Sequence, residues 1–236
     1  RNLHNNPKYS DPKRLTRYEF QVYSQNGEDG IIEEIFKRIG VTNKYFVEFG
    51  VQDGLETNST YLLYKGWQGL FLEGSPNWVK KAKKNLEFVI DNKQLVISEA
   101  FITAENIETL FEKHNVPKEL DMLSIDIDGN DYFVWKAISQ YSPRLVLIEY
   151  NSTIRPNLKW GVAYDAESTW DRTSHFNASL KSYELLAKEK GYSIVGCNFK
   201  GSNAFLVRND LMKDLFVEPF TAENHFEPAK FYLLKR

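Results

Sequence analysis

Short apolar runs alternate with amphipathic stretches along most of the chain from residue 28 onward. The apolar runs predict five buried strands, over residues 45–49, 69–73, 95–97, 122–127 and 145–148. Apolar positions at helical spacing predict helices over residues 28–39, 57–65, 77–86, 105–114 and 132–139. Strands and helices in alternation form parallel βαβ units with right-handed crossovers, so helices should cover both faces of one sheet.

The C-terminal part of the pattern differs from these repeating units. A predicted helix over residues 178–190 is followed by apolar runs at 192–197 and 204–207, which are separated by a short turn containing Gly201. The turn is short enough for a hairpin, so the two strands should be antiparallel. The complete order resembles that of the class I S-adenosylmethionine-dependent methyltransferases, which have a Rossmann-like α/β fold. That resemblance implies a mostly parallel seven-stranded sheet with helices on both faces and a C-terminal antiparallel hairpin.

We predict a single domain over residues 1–236. Two segments of it do not follow the alternation of strands and helices. Residues 1–20 are polar and basic and contain two prolines, which predicts an N-terminal arm rather than a core element. Residues 151–176 have no convincing period and exceed the usual length of a simple connector. We expect this insert to cover the carboxyl ends of the strands and bind an acceptor; the alternative is a surface excursion packed by its own aromatics. Because the chain starts at Arg1, we expect it to be excised from a longer protein.

Composition narrows the functional classes. The chain has 236 residues, with 30 Lys and Arg against 32 Asp and Glu, and a formal net charge of −2. A nucleic-acid-binding protein is expected to carry a basic face, so we predict no nucleic-acid partner. No stretch approaches the roughly 20 apolar residues of a membrane helix, so no membrane span is predicted. Cys197 is the sole cysteine, which excludes an intrachain disulfide and a Cys-based zinc site and favours a reducing, cytoplasmic location.

The turn after the first strand carries the first candidate binding residues. Gly50 and Gly54 follow the acidic Glu48, and glycines at this place let the backbone approach a ligand closely. A dinucleotide fingerprint requires a further glycine where this chain has Gln52. An acidic residue before the turn fits the zwitterionic tail of an amino acid better than a pyrophosphate. The alternative use of these glycines is a tight strand-to-helix turn alone.

Side chains at the ends of the next two strands extend this candidate site. Glu73 ends the second strand, where a carboxylate can accept both ribose hydroxyls of a nucleotide; an exposed strand-end charge is the alternative. Glu99 and Phe101 follow the third strand, where an acidic residue and an apolar neighbour can flank an adenine ring. Together these positions predict a nucleotide-like ligand along the strand ends.

Carboxylates at the ends of the fourth and fifth strands form a second candidate group. Asp126 is delivered by the fourth strand and Glu149 follows the apolar run of the fifth, so the two should lie close together. Such neighbours raise each other's pKa or hold a divalent cation. With His175 from the insert they would form a two-carboxylate, one-imidazole site that acts as a base or binds Mg²⁺ or Mn²⁺. Asp131, near the start of the next helix, is expected to be an N-cap.

Four segments taken together resemble the FkbM-type methyltransferases, namely residues 23–30, 46–50, 71–74 and 124–129. The resemblance implies S-adenosylmethionine as the donor and transfer to an oxygen, often on a sugar or polyketide hydroxyl. It implies donor-binding roles for Gln25, Glu48, Gly50, Gly54, Asn58, Glu73, Glu99, Phe101 and Asp126. By this analogy Gln25 reaches the amino-acid end of the donor. Asp128 stands where Glu is frequent in the family, and this departure, like the long insert, concerns the acceptor.

These features predict an O-methyltransferase for a sugar hydroxyl of a glycan, glycolipid or precursor. A sulfonium methyl group is already strongly electrophilic, so the protein mainly aligns the acceptor oxygen, excludes water and removes a proton. The candidate catalytic residues are Asp126, Glu149 and His175. One alternative is a non-catalytic cofactor-binding module inside a larger glycan-assembly protein, with other domains as partners. Another is an NAD-dependent oxidoreductase, against which Gln52 argues.

Overall fold

The computed structural model describes residues 6–230 of the chain. Within them one sheet is formed by the strands β1 (Tyr45–Phe49), β2 (Gln68–Glu73), β3 (Leu95–Glu99), β4 (Met122–Ile125), β5 (Leu145–Glu149), β6 (Tyr192–Cys197) and β7 (Asn203–Arg208). Their order is β3-β2-β1-β4-β5-β7-β6. β1 to β5 run parallel, whereas β7 is antiparallel to both β5 and β6. The predicted seven-stranded sheet with a C-terminal antiparallel hairpin is confirmed.

Helices follow most of the strands, as the sequence pattern predicts. The α-helices are α1 (Glu28–Ile39), α2 (Thr60–Leu63), α3 (Pro76–Asn85), α4 (Glu87–Asp91), α5 (Ile107–Lys113), α6 (Asp131–Ala137), α7 (Leu180–Lys190) and α8 (Ala222–His225). α2 is much shorter than the predicted helix over residues 57–65, and the backbone amides of residues 58 and 59 that precede it bond to a buried carboxylate. The short helices α4 and α8 were not predicted.

Each face of the sheet has its own apolar core. Side chains alternate between the two faces along a strand, so Phe46 and Val47 belong to different cores. The core that contains Val47 includes residues of α5, α6 and α7, and the core that contains Phe46 includes residues of α1 to α4. Because both faces are covered, these strands consist of nearly continuous apolar residues.

The N-terminal segment is not a free arm, contrary to the expectation for residues 1–20. Tyr9 is 5% exposed and Leu15 is 1% exposed, and Leu15 packs into the core that contains α1. The Tyr9 hydroxyl also donates to the buried Glu227 carboxylate at 2.9 Å. Two apolar anchors in a polar stretch have no period, which is why the composition of the segment hid them. Residues 1–5 of the predicted arm lie outside the described range.

The insert over residues 151–176 is irregular, with one isolated β-bridge between Gly161 and Ala178. None of the helices in residues 6–230 is long and apolar enough to cross a membrane. The strand order reverses where β1 and β4 lie side by side, although they are far apart in sequence. In open α/β sheets a ligand crevice forms at this point, outside the carboxyl ends of the strands.

Candidate active site

A cavity of about 640 Å³ lies at this reversal point. Its wall is made by residues at the carboxyl ends of β1, β2, β4 and β5, by the loop after β3, and by residues 168–170 of the insert. Eight of the sequence-predicted residues line it: Gln25, Glu48, Gly50, Asn58, Glu73, Phe101, Asp126 and Glu149. The predicted residues Gly54, Glu99 and His175 do not. The cavity therefore unites most, but not all, of the predicted site.

Glu48 holds the turn after β1 in place. The side chain is only 3% exposed, and its carboxylate accepts hydrogen bonds from the amides of Asn58 at 2.8 Å and Ser59 at 3.0 Å. The hydroxyl groups of Ser59 and Ser124 donate to the same carboxylate. Burial raises the pKa of Glu48 to about 7, although these hydrogen bonds favour the charged form. With so many protein donors bonded to it, the Glu48 carboxylate fixes the position of Asn58 in the cavity wall.

Gly50 is required by a close backbone approach. Its φ is +68°, and a Cβ atom at this position would lie 1.8 Å from the carbonyl oxygen of Asp126. The turn after β1 thus crosses directly over the end of β4, which only glycine permits. Gly54 lies outside the cavity wall, and a Cβ atom there would lie 2.6 Å from the Leu86 side chain. Its φ of +78° is a further reason for glycine at this position.

Glu73 ends β2 with its carboxylate anchored to the backbone. One oxygen accepts from the amide of Gln52 at 2.8 Å and the other from the amide of Ser75 at 2.9 Å. The side chain is 7% exposed and lines the cavity. A carboxylate has about four acceptor sites, so each oxygen keeps a lone pair for a ligand hydroxyl. Glu73 is therefore a preformed acceptor for two neighbouring hydroxyl groups.

Two aromatic side chains line the cavity near the ends of β2 and β3. Phe101 is 49% exposed and lines the cavity, as predicted. Trp78 on α3 also lines the cavity and was not predicted. The predicted Glu99 pairs with Glu73 in register, but it is exposed and lies outside the cavity wall. A flat apolar ring therefore has two aromatic neighbours here and no carboxylate from β3.

Three carboxylates meet at the ends of β4 and β5. Oxygen atoms of Asp126, Asp128 and Glu149 all lie within 4.8 Å of one another. Burial, followed by the charges of acidic neighbours, raises the pKa of Asp126 and of Glu149 well above their ordinary values. Burial and the Glu73 charge also raise the pKa of Asp128. Glu149 is oriented by Asn177, whose side-chain amide donates to it at 2.8 Å.

Asp131 is not the predicted N-cap. The N-cap position of α6 is occupied by Asn130, and Asp131 is the first helical residue. Its buried carboxylate accepts from the amides of Ile127 at 3.2 Å and Gly129 at 3.1 Å. Burial raises the pKa of Asp131 to about 7. The Asp131 side chain therefore bonds to the turn that carries Asp126 and Asp128, and does not cap the helix.

His175 is not part of the carboxylate group, so the predicted two-carboxylate, one-imidazole arrangement is wrong in this respect. Its ring is exposed and packs edge-on against Trp160, with 5.4 Å between the ring centroids. Asp128 occupies the third place in the group instead. The part of the insert that does reach the cavity is residues 168–170, which include Trp170. An irregular loop has no sequence pattern that shows which of its side chains points inward.

The N-terminal motif around Gln25 is held by two buried acids. One oxygen of Asp29 accepts from the three amides of residues 22–24, at 2.7 to 2.9 Å. Glu28 accepts from the side-chain amides of Asn198 at 2.7 Å and Asn203 at 2.8 Å. These bonds tie the segment to the β6–β7 hairpin and leave Gln25 exposed at the cavity wall.

With this geometry in place, the chain can be compared with known proteins. It is similar in fold to a putative caffeoyl-CoA O-methyltransferase from Staphylococcus aureus, with a TM-score of 0.51 and 17% identity, over 75% of this chain and 81% of that one. The fold is that of the class I methyltransferases. A further similar structure is magnesium protoporphyrin IX methyltransferase from Synechocystis PCC 6803 with bound S-adenosyl-homocysteine (SAH; TM-score 0.50, 10% identity, 77% of this chain and 81% of that one).

The N-terminal domain of EvdMO1, studied in the presence of SAH and D-fucose, is also similar, with a TM-score of 0.50 and 12% identity over 88% of this chain and 97% of that one. Identities this low establish the fold and not the reaction. No family model matches the chain, and no curated protein matches it in sequence.

Proposed function

We propose that this protein is an S-adenosylmethionine-dependent O-methyltransferase that acts on a sugar hydroxyl of a glycan, glycolipid or precursor, as FkbM-type enzymes do. The observation that carries the proposal is the anchored carboxylate of Glu73 at the wall of a cavity in a class I methyltransferase fold. Two proteins of similar fold, described above, hold or were studied with SAH. The presence of D-fucose with one of them is in keeping with a sugar acceptor.

The donor site that we propose follows the cavity wall from β1 to β3. Glu73 accepts the ribose hydroxyls with the lone pairs that its backbone bonds leave over. Trp78 and Phe101 flank the adenine ring, and Gln25 and Asn58 bind the amino-acid end. When bound, S-adenosylmethionine supplies the methyl group on a positively charged sulfur.

The protein must also remove the proton of the acceptor hydroxyl. We assign it to Asp126 or Glu149, which lie on the cavity wall beyond the donor residues. A general base works best when its pKa lies near the working pH, and the raised pKa of both carboxyl groups moves them in that direction. The enclosing wall also limits the access of water to the reacting atoms.

The same carboxylates fit a divalent cation. Mg²⁺ and Mn²⁺ prefer carboxylate oxygens as ligands. Asp126, Asp128 and Glu149 offer three such oxygens within 4.8 Å of one another. A bound cation would lower the pKa of an acceptor hydroxyl, which is a poor acid by itself. In that form of the proposal the carboxylates hold the cation and His175 has no part.

The acceptor binds, in this proposal, under residues 168–170 of the insert. Trp170 is 47% exposed and lines the cavity, and an aromatic face suits the apolar face of a sugar ring. The insert is anchored on both sides of this point. Asn130 donates to the Asp165 carbonyl at 2.7 Å, and Asn151 donates to the carbonyl oxygens of Ser174 and Phe176.

Calorimetric titration of S-adenosylmethionine and of NAD, with Mg²⁺ and with EDTA, tests the proposal. Saturable binding of S-adenosylmethionine alone is expected, and transfer of a labelled methyl group to a panel of sugars would then identify the acceptor. Binding of the donor without transfer to any hydroxyl compound would favour the non-catalytic module. Binding of NAD alone would overturn the proposal. A loss of transfer in EDTA that Mg²⁺ or Mn²⁺ restores would assign the carboxylates to the cation.

A further inference from the structure

A second cavity lies next to the proposed site, at the β6–β7 hairpin. It has a volume of about 310 Å³, and its wall is made by residues 19–21 and 25–27 and by Phe199 and Lys200 of the turn between β6 and β7. Gln25 belongs to the walls of both cavities, so the two are neighbours. The volume is at the lower end of the range of about 300–1,000 Å³ for small-ligand pockets. The second cavity is therefore large enough for part of a ligand that extends from the first.

The second cavity lies on the acceptor side of the proposed site. Asn203, the first residue of β7, lines the first cavity, and the turn that precedes β7 lines the second. Asn203 is also the register partner of Glu149, the last residue of β5. Lys200 in the second wall interacts electrostatically with Glu149. A ligand whose hydroxyl group lies at Glu149 can therefore extend past Gln25 into the second cavity.

The lining of the second cavity combines aromatic rings with side-chain amides. Phe20 and Phe199 supply two rings, and Gln21, Gln25 and Asn26 supply three amides. An amide group both donates and accepts hydrogen bonds, as a sugar hydroxyl does, and an aromatic face suits the apolar face of a sugar ring. The chemistry of this wall therefore fits a sugar ring.

The two rings of this wall are held in place by other parts of the chain. Phe20 packs edge-on against Tyr61, with 5.7 Å between the ring centroids, and Phe199 packs edge-on against Tyr9, with 5.9 Å. The backbone amide of Phe199 also donates to the Glu19 carboxylate. Because these contacts lie within the chain itself, the wall is preformed, and a ligand loses little affinity to ordering it.

We propose that the second cavity is a subsite for a second sugar ring, next to the ring that is methylated, so that the acceptor has at least two sugar residues. This inference rests on the proposed function, because the first ring is the sugar whose hydroxyl group lies at Asp126 and Glu149. A ring in the second cavity makes contacts that a monosaccharide lacks. These contacts are remote from the reacting oxygen, so the gain should appear mainly as a lower KM.

Transfer of a labelled methyl group to matched acceptors tests the subsite. Each sugar of the panel is offered as the monosaccharide, as a disaccharide and as the hexyl glycoside, for example glucose, maltose and hexyl glucoside, or galactose, lactose and hexyl galactoside. We expect kcat/KM to be about tenfold higher for the disaccharide than for the other two. Equal values for monosaccharide and disaccharide, or an equal gain from the hexyl chain, would overturn the subsite and leave the proposed function intact. Transfer to no member of the panel would count against the proposed function and the subsite together.

Two pairs of variants locate this preference for the disaccharide. Gln21→Trp should abolish it, because the indole ring fills part of the second cavity; Val22→Trp is the control, since Val22 is exposed but lines neither cavity. Phe20→Ala should lower the preference about threefold, and Phe88→Ala, which removes an exposed ring outside both cavities, should not change it. Transfer to the monosaccharide and the affinity for S-adenosylmethionine should stay unchanged in all four variants. A preference that survives in Gln21→Trp, or that falls equally in the controls, would contradict the subsite.

Discussion

Carboxylates on the two sides of the cavity are held in opposite ways. On the side of β1 and β2, Glu48 and Glu73 each accept hydrogen bonds from two backbone amides. On the side of β4 and β5, Asp126, Asp128 and Glu149 face one another within 4.8 Å. Backbone donors fix a carboxylate in position, whereas facing carboxylates repel and so favour a proton or a cation between them. In the proposed function, the first side holds the donor in position. The second side takes up a proton or a cation.

The largest expected effect comes from a substitution on the side of β4 and β5. Asp126→Asn should lower methyl transfer about 1000-fold, because a positioned base or cation ligand is lost. Binding of S-adenosylmethionine, measured by calorimetry, should change little, since the bonds around Glu73 remain. Asp91→Asn, an exposed acid at the end of α4, is the control for a general charge effect. Unchanged transfer in Asp126→Asn would remove this residue from the mechanism.

The next effect concerns the contact between the two sides. Gly50→Ala should reduce the free energy of unfolding by about 3 kcal/mol, because its Cβ would clash with the Asp126 carbonyl in addition to the strain of positive φ. Gly66→Ala separates these causes, since Gly66 has φ +77° and no atom within 4 Å of a Cβ. It should cost only about 1 kcal/mol. Equal losses in urea unfolding would show that the clash relaxes freely.

A smaller effect is expected from a substitution on the side of β1 and β2. Glu73→Gln should weaken binding of S-adenosylmethionine about 10- to 30-fold, because the amide keeps one acceptor oxygen and places an NH₂ group against a backbone donor. Transfer at saturating donor should fall much less. Glu99→Gln, one strand away and outside the cavity wall, should leave the donor affinity unchanged. Similar affinities for both variants would place the ribose elsewhere.

The sequence predicted the first side better than the second, for a physical reason. Glu48 and Glu73 lie at or next to the ends of strands whose apolar runs are visible locally, and parallel strands bring their carboxyl ends to one edge. Glu99 also ends a strand, but it is exposed and outside the cavity wall, at the end of the edge strand β3. Gly54 has φ +78° and lies beside the Leu86 side chain, outside the cavity wall, and no local pattern reveals that placement.

The second side depends on loops, where no periodicity exists. Asp128 enters the carboxylate group because its backbone adopts φ +59° after β4, and nothing in the apolar pattern specifies that turn. His175 was predicted there because the insert was expected to fold over the site. The insert does reach the cavity, but through residues 168–170, while His175 packs on Trp160. Strand ends are thus predictable from one sequence, and loop side chains are not.

The pH dependence of stability compares one buried acid from each side of the cavity. Burial raises the pKa of Glu48 and of Asp131 to about 7, so the folded protein keeps protons that the unfolded chain releases near pH 4. The stabilising contribution is complete below that pH and is lost as the pH rises towards 7, so the free energy of unfolding should fall between pH 4 and pH 8. Glu48→Gln and Asp131→Asn should each flatten part of this slope in urea unfolding. A flattening by Asp131→Asn alone would mean that the amides around Glu48 hold its charge as well as its position, which would sharpen the contrast between the two sides.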